Sequence, residues 1–125
     1  MALILVVDDD ESLRNVIKST LISSGHEVLQ AENGREAIQK FGANNIDLVI
    51  TDILLPDKDG LELIPQFRKM CPLAKIIAIS GGGSVGPKAY LGMAKALGAK
   101  KILSKPFSRL ELQRAVEDLL GEKSE

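Results

Sequence analysis

The sequence predicts an α/β fold, a single doubly wound, five-stranded parallel sheet with helices on both faces. Short apolar runs alternate with amphipathic segments along the whole chain, the pattern of β-α units joined by right-handed crossovers. Two runs, Leu3–Val7 and Leu48–Ile50, are continuously apolar, as strands covered on both faces must be. Because 125 residues suffice for one domain with its own core, we expect residues 1–125 to form a single domain.

Five β-α units follow one another in order. The predicted strands are Leu3–Val7, Glu27–Ala31, Asp47–Thr51, Lys75–Ser80 and Lys101–Ser104. Apolar residues recur at helical spacing after the first and fifth strands, at Leu13, Val16, Ile17 and Leu21 and at Leu112, Val116, Leu119 and Leu120. These residues are expected to form the buried faces of the first and last helices.

Helix boundaries carry signals of their own. A small polar acceptor precedes a glutamate by three residues at three predicted helix starts, Asn33 with Glu36, Asp59 with Glu62, and Ser108 with Glu111. Asp10 is better suited to the start of the first helix than to a ligand role. Pro65 falls early in the helix that begins near Gly60 and is expected to bend it.

Composition and charge exclude several classes of protein. The formal net charge is -1 at pH 7, which argues against direct binding of nucleic acid. The single cysteine, Cys71, cannot form an internal disulfide. The first residues lack the basic region and the longer apolar stretch of a signal peptide, and no apolar run approaches the roughly 20 residues of a membrane span. We therefore expect a cytoplasmic protein with no membrane partner.

Polar residues stand where four of the predicted strands end. Asp8 and Asp9 follow the first strand, Asp52 the third, Ser80 closes the fourth, and Lys105 follows the fifth. The carboxyl ends of parallel strands meet at one edge of the sheet, where ligands of such folds bind. These five side chains are therefore expected to converge on one small site.

The chemistry of such a site is that of phosphoryl transfer. Three neighbouring carboxylates repel one another, and a divalent cation relieves this repulsion. All-oxygen ligands favour magnesium, calcium or manganese, and Mg²⁺ typically binds one or two carboxylates plus a phosphate oxygen. A lysine and a hydroxyl would contact phosphoryl oxygens. A carboxylate beside such groups can attack phosphorus and form an aspartyl phosphate.

Four segments at these strand ends resemble the response-regulator receiver family, which includes the CheY-like proteins. They are Val6–Asp10, Thr51-Asp52 with Leu55–Gly60, Ile79–Gly81, and Ser104–Phe107. The resemblance covers essentially the whole chain in order and spacing. It implies a flavodoxin-like sheet of strand order 2-1-3-4-5, with two helices on one face and three on the other, and a cis Lys105-Pro106 bond.

The resemblance also implies a role for each site residue. Asp52 resembles the phosphoacceptor, Asp9 the direct Mg²⁺ ligand, and Asp8 the acid that holds the ion through water. The backbone carbonyl of Leu54 matches the third protein ligand. Ser80 and Lys105 match the hydroxyl and the ammonium that contact the phosphoryl group, and Gly81 matches a small residue that keeps it accessible.

Partners follow from the same resemblance. We expect a sensor histidine kinase or a histidine phosphotransfer protein as phosphodonor, and a downstream protein target or a fused output domain as the receiver of the signal. The resemblance also allows a phosphorylation-dependent dimer. The chain would be no enzyme in the ordinary sense, because it would catalyse only its own phosphorylation and dephosphorylation.

Three departures from the family pattern bear on function. Ile102 stands where the family usually has an aromatic switch residue, and the loop near Leu55 and Lys58 lacks the usual methionines. Leu54 and Gly82, two residues after Asp52 and Ser80, replace side chains that are often polar. Ile102 puts in doubt the usual aromatic switch that signals phosphorylation. Leu54 and Gly82 bear on the lifetime of the phosphorylated state.

Two other functions stay open at this stage. A magnesium phosphohydrolase with an aspartate nucleophile uses a similar strand-end aspartate, but it wants a second aspartate at the position of Leu54. An interaction module that has lost phosphorylation is the other alternative, although all five site residues are present.

The glycine-rich segment 80–88 does not match a P-loop, because Pro87 precedes Lys88 and no serine or threonine follows that lysine.

Overall fold

The computed structural model describes residues 2–53, 55, 60–80 and 87–121. Strands and helices alternate along this part of the chain. The strands are β1 (Leu3–Val7), β2 (Glu27–Ala31), β3 (Leu48–Asp52), β4 (Ile76–Ser80) and β5 (Lys101–Ser104). The helices are α1 (Glu11–Ser23), α2 (Gly34–Ala43), α3 (Gly60–Met70), α4 (Pro87–Leu97) and α5 (Arg109–Gly121).

The five strands form one sheet in the order β2-β1-β3-β4-β5, and every neighbouring pair is parallel. This confirms the predicted fold class. β3 begins one residue later than predicted, since Asp47 lies before it and contacts the start of β1. The Leu3 N–H donates to the Asp47 carboxylate at 2.8 Å, and the Asp47 N–H donates to the Leu3 carbonyl at 2.8 Å.

Helices cover both faces of the sheet, and alternation along the strands divides the core in two. Leu5 and Val7 of β1 belong to a cluster with residues of α2, α3 and α4, whereas Ile4 and Val6 belong to a cluster with residues of α1 and α5. The central strands are buried on both faces, which explains why they are continuously apolar. Three helices on one face and two on the other were predicted, and the structure confirms it.

Side-chain caps begin the first two helices. The Asp10 carboxylate accepts from the Leu13 N–H at 3.2 Å, and the Asn33 Oδ1 accepts from the Glu36 N–H at 2.8 Å. Both caps were predicted. Asp59, the predicted cap of α3, lies outside the described residues.

β2 is an edge strand, and one of its outward carbonyls has a charged partner. The Ala31 carbonyl accepts from the Asp8 N–H at 3.1 Å on the β1 side, so the neighbouring Gln30 carbonyl points to the open edge. The Lys40 ammonium of α2 donates to that carbonyl and also contacts Glu36 at 3.3 Å.

The burial of α1 differs from the prediction at one position. Val16 was predicted on the buried face of α1, but the residue is 44% exposed. The buried residues of α1 are Ile17, Thr20 and Leu21. The Lys105-Pro106 bond is cis, as predicted. Among the described residues, no helix combines the length and apolar character that crossing a bilayer requires.

Candidate functional site

The carboxyl edge of the sheet brings the predicted site residues together. Asp8 follows β1, Asp52 and Ser80 are the last residues of β3 and β4, and Lys105 follows β5. The Lys105 N–H donates to the Ser80 carbonyl at 2.8 Å, which extends the β4–β5 pairing to the site. Carboxylate oxygens of Asp8, Asp9 and Asp52 all lie within 4.8 Å of one another.

Lys105 is the cation of this cluster. Its ammonium donates to Asp52 Oδ2 at 2.8 Å and lies 3.3 Å from Asp8 Oδ2. Asp52 is only 5% exposed and Asp8 is fully buried, whereas Asp9 is exposed. The site therefore has two buried carboxylates and a partly exposed ammonium, with a third carboxylate at the surface.

The two oxygens of the Asp8 carboxylate have different surroundings. Oδ1 accepts from the Asp10 N–H at 2.9 Å. Oδ2 is buried and has no hydrogen-bond partner within the described part of the chain, although the Lys105 ammonium lies 3.3 Å away as an ion-pair partner. An unsatisfied buried oxygen is costly unless a partner arrives, and a water bound to a cation would supply one.

Burial and charge shift two pKa values in the site. Burial raises the pKa of Asp8 to about 6, and the Asp52 charge adds to this, against the lowering effects of the Asp10 N–H and Lys105. For Lys105, burial is the largest single effect and lowers the pKa, but the hydrogen bond to Asp52 and the charges of Asp52 and Asp8 outweigh it. The pKa of Lys105 is therefore raised, and its ammonium stays charged at neutral pH.

The donor set fits Mg²⁺. All three clustered side chains offer carboxylate oxygens, the ligands this ion prefers, and Mg²⁺ keeps waters that the buried Asp8 oxygen would accept from. The remaining predicted ligand, the Leu54 carbonyl, lies outside the described residues, as do Gly81 and Gly82.

Ser80 lies deep at the same edge. It is 1% exposed and stands opposite Ser104 in the β4–β5 register, next to the backbone of Lys105.

Sequence reasoning missed Arg14, which contacts the site from α1. Its Nη1 donates to the Asp8 carbonyl at 2.6 Å, and its Nε donates to Gln30 Oε1 at 3.1 Å. The only sequence signal was an arginine six residues after the first aspartate, on the helix that follows it.

A separate cleft of about 450 Å³ lies at the opposite edge of the sheet. His26, Asp47, Lys75 and Glu117 contribute its polar lining, and the first three precede β2, β3 and β4. None of the predicted site residues lies there, so the strand-end cluster is the better candidate for chemistry.

Comparisons with known proteins identify the family to which this chain is similar. The family model described as "Response regulator receiver domain" matches residues 4–117. The chemotaxis protein CheY of Thermotoga maritima is 37% identical over 117 residues, which cover 93% of this chain and 92% of that protein. The DNA-binding transcriptional regulator NtrC of Azospirillum brasilense is 37% identical over 120 residues, 96% of this chain, but the chain spans only 24% of that relative.

A solved structure extends the comparison to the fold. The response regulator protein TrrA of Thermotoga maritima, in complex with Mg(2+)-BeF, has a TM-score of 0.84 and 37% identity, covering 95% of this chain and 99% of that one. The match of the family model and the CheY relative settle the family. The chain belongs to the response-regulator receiver domain family of two-component systems.

Proposed function

We propose that the chain accepts a phosphoryl group on Asp52, from a histidine kinase or a histidine phosphotransfer protein, in the presence of Mg²⁺. Phosphorylation then changes its protein-interaction surface. The observation that carries the proposal is the position of Asp52. Its buried carboxylate lies 2.8 Å from the Lys105 ammonium and within 4.8 Å of carboxylate oxygens of Asp8 and Asp9.

The surroundings of the two buried carboxylates favour Asp52 over Asp8 as the acceptor. Asp8 Oδ1 is occupied by the Asp10 N–H, and burial raises the pKa of Asp8 to about 6, which makes its carboxylate reluctant to carry charge. Asp52 has a charged donor in Lys105. In the proposed step an Asp52 oxygen forms a bond to phosphorus, the phosphorus–nitrogen bond of the donor phosphohistidine breaks, and its electron pair stays on the imidazole nitrogen.

Mg²⁺ would be held by Asp9, Asp52 and the Leu54 carbonyl directly, and by Asp8 through water, and it would balance charge on the phosphoryl oxygens. Lys105 would stabilise the same oxygens from the other side, with its ammonium already positioned. Ser80 would then move onto the phosphoryl group, as the family resemblance implies, and transmit its presence to the β4–α4 side.

The proposed output surface comprises α4, β5 and α5. Met93 and Leu97 of α4 and Leu110 of α5 are 53%, 40% and 53% exposed, and apolar side chains at a surface suit contact with a protein. The partner would be a separate target, a fused output domain or a second phosphorylated copy. The proposal includes one receiver domain over residues 1–125 and a cytoplasmic location, as expected from the length of the chain and from its composition.

Mass spectrometry after incubation with acetyl phosphate and Mg²⁺ tests the proposal. We expect one phosphoryl group on the wild type and none on Asp52→Ala, because Lys105 donates a 2.8 Å hydrogen bond to Asp52, whereas Asp8 lies 3.3 Å from that ammonium and has a raised pKa. Asp9→Ala should fold but not react, since it removes the exposed ligand. Asp118→Asn, which removes an exposed acid elsewhere, should react like the wild type.

The purified wild-type protein also distinguishes the two alternative functions. Failure of the wild type to react would revive the interaction module that works without phosphorylation. Sustained release of phosphate from an external phosphomonoester would instead favour the phosphohydrolase, whose products would accumulate beyond one equivalent of protein.

A further inference from the structure

Arg14 joins three elements behind the acidic cluster. It lies in the first turns of α1, its Nη1 donates to the backbone carbonyl of Asp8 at 2.6 Å, and its Nε donates to the Gln30 side chain of β2 at 3.1 Å. A guanidinium donates in fixed directions, so these two bonds together set the orientation of the Asp8 carbonyl relative to β1 and β2.

That carbonyl belongs to the peptide that links Asp8 to Asp9. The preceding peptide is held by the Asp8 N–H on Ala31, at 3.1 Å, and the Asp8 carboxylate by the Asp10 N–H, at 2.9 Å. Because a peptide unit is planar, fixing the Asp8 carbonyl also fixes the direction in which the chain leaves towards the Asp9 side chain.

Asp9 depends on this backbone anchor more than its neighbours do. Its carboxylate is exposed and makes no hydrogen bond or ion pair within the described part of the chain, yet one of its oxygens lies within 4.8 Å of oxygens of Asp8 and Asp52. Since no described residue holds the Asp9 side chain towards the cluster, we infer that its backbone does so.

We propose that Arg14 is a positioning residue of the metal-binding cluster, which fixes the Asp8–Asp9 peptide so that the Asp9 carboxylate faces Asp8 and Asp52. The inference rests on the proposed function in assuming that this cluster binds Mg²⁺. Groups behind the direct ligands commonly orient them in this way.

An electrostatic role and a positioning role for Arg14 predict opposite effects of Arg14→Met on Mg²⁺ affinity, so this variant distinguishes them. Loss of a positive charge near three carboxylates would by itself strengthen binding of a cation, whereas loss of positioning weakens it. Gln30→Leu removes the anchor of the guanidinium without changing any charge. Lys18→Met is the matched control, since Lys18 carries the same charge on α1 and makes no hydrogen bond or ion pair within the described residues.

The measurement is a MgCl₂ titration followed by amide NMR, because the chain has no tryptophan to report binding. We expect the Mg²⁺ Kd of Arg14→Met to rise about tenfold, that of Gln30→Leu to rise less, and that of Lys18→Met to stay or fall slightly. The rate of phosphorylation by acetyl phosphate should recover in Arg14→Met at saturating Mg²⁺, which a merely structural defect would not show.

Several outcomes would overturn the inference. They are an unchanged or tighter Mg²⁺ Kd in Arg14→Met, and a rate deficit that no Mg²⁺ concentration relieves. If thermal melting in chelator shows that Arg14→Met does not fold, Gln30→Leu decides, and a wild-type Kd in that variant overturns the inference. Wild type that binds Mg²⁺ but is never phosphorylated refutes the proposed function alone, and wild type that binds no Mg²⁺ refutes both.

Discussion

Asp8 carries a charge in a place that disfavours it. Its carboxylate is buried, one oxygen lacks a hydrogen-bond partner among the described residues, and the pKa is raised to about 6 from the ordinary value of 3.8. Lys105 and the Asp10 N–H reduce this cost without removing it. A bound cation would offset the free-energy cost of this buried negative charge, so the Asp8 carboxylate is suited to a site beside a cation.

This gives a prediction for stability against pH. Because the pKa of Asp8 is higher in the folded than in the unfolded protein, folding takes up a proton between about pH 4 and 6, and the free energy of unfolding falls as pH rises through that window. We expect Asp8→Asn to be more stable than wild type at pH 7.5 in chelator, by about 1–3 kcal/mol, and to lose this advantage towards pH 4.

Urea denaturation across this pH range measures the effect. Glu27→Gln, which removes an exposed acid at the other end of β2, controls for the change in net charge. Parallel pH profiles for wild type and Asp8→Asn would contradict the prediction.

At the scale of the element, α5 depends on local chemistry at its start. Ser108 Oγ accepts from the Glu111 N–H at 3.0 Å, and Glu111 Oε1 accepts from the Ser108 N–H at 3.2 Å, which is the predicted capping box. The buried face of α5, with Leu112, Val116 and Leu119, then packs on the same side of the sheet as α1. The cap thus sets where a helix of the proposed output surface begins.

Ser108→Ala should therefore lower the free energy of unfolding by about 1 kcal/mol, since it leaves N–H groups at the helix start without a side-chain acceptor. Ser19→Ala, an exposed position inside α1, should be neutral or slightly stabilising because alanine favours helix. The urea midpoints of the two variants measure the difference, and equal losses in both would contradict a capping role.

At the scale of the whole molecule, the sheet was predictable because burial on two faces leaves a continuous apolar signal. The convergence of polar residues at one edge of the sheet was predictable for a related reason. Asp52 and Ser80 interrupt apolar runs where the strands end, and parallel strands bring those ends to one edge. Leu54 stays a prediction, because it lies outside the described residues.

Other features depend on packing that a linear pattern does not contain. Arg14 reaches Asp8 and Gln30 through a long side chain whose direction is set by α1 and β2 together. Val16 has helical spacing with Ile17 and Leu21, but the position of α1 on the sheet leaves it 44% exposed. Periodicity gives the face of a helix, whereas its neighbours decide how much of that face they cover.

The sequence also allows a prediction about the lifetime of the proposed phosphorylated state. Hydrolysis needs a water in line with the Asp52–phosphorus bond, and the apolar Leu54 and the side-chain-free Gly82 cannot hold one. Without that orientation the reaction loses a rate advantage, so we expect a comparatively stable acyl phosphate. Phosphate loss from the purified phosphoprotein should be faster in Leu54→Asn with Gly82→Glu, and equal or slower decay would show the idea wrong.

Lys40, at the open edge of β2, affects whether a second chain can pair with that edge. An uncovered strand edge is a template on which a second chain can add its own strand, and aggregation begins in this way. Lys40 places an ammonium on the outward Gln30 carbonyl, so an approaching strand would have to displace a charged donor to pair there. This contact therefore disfavours the addition of a second chain's strand at the edge of the sheet nearest Arg14.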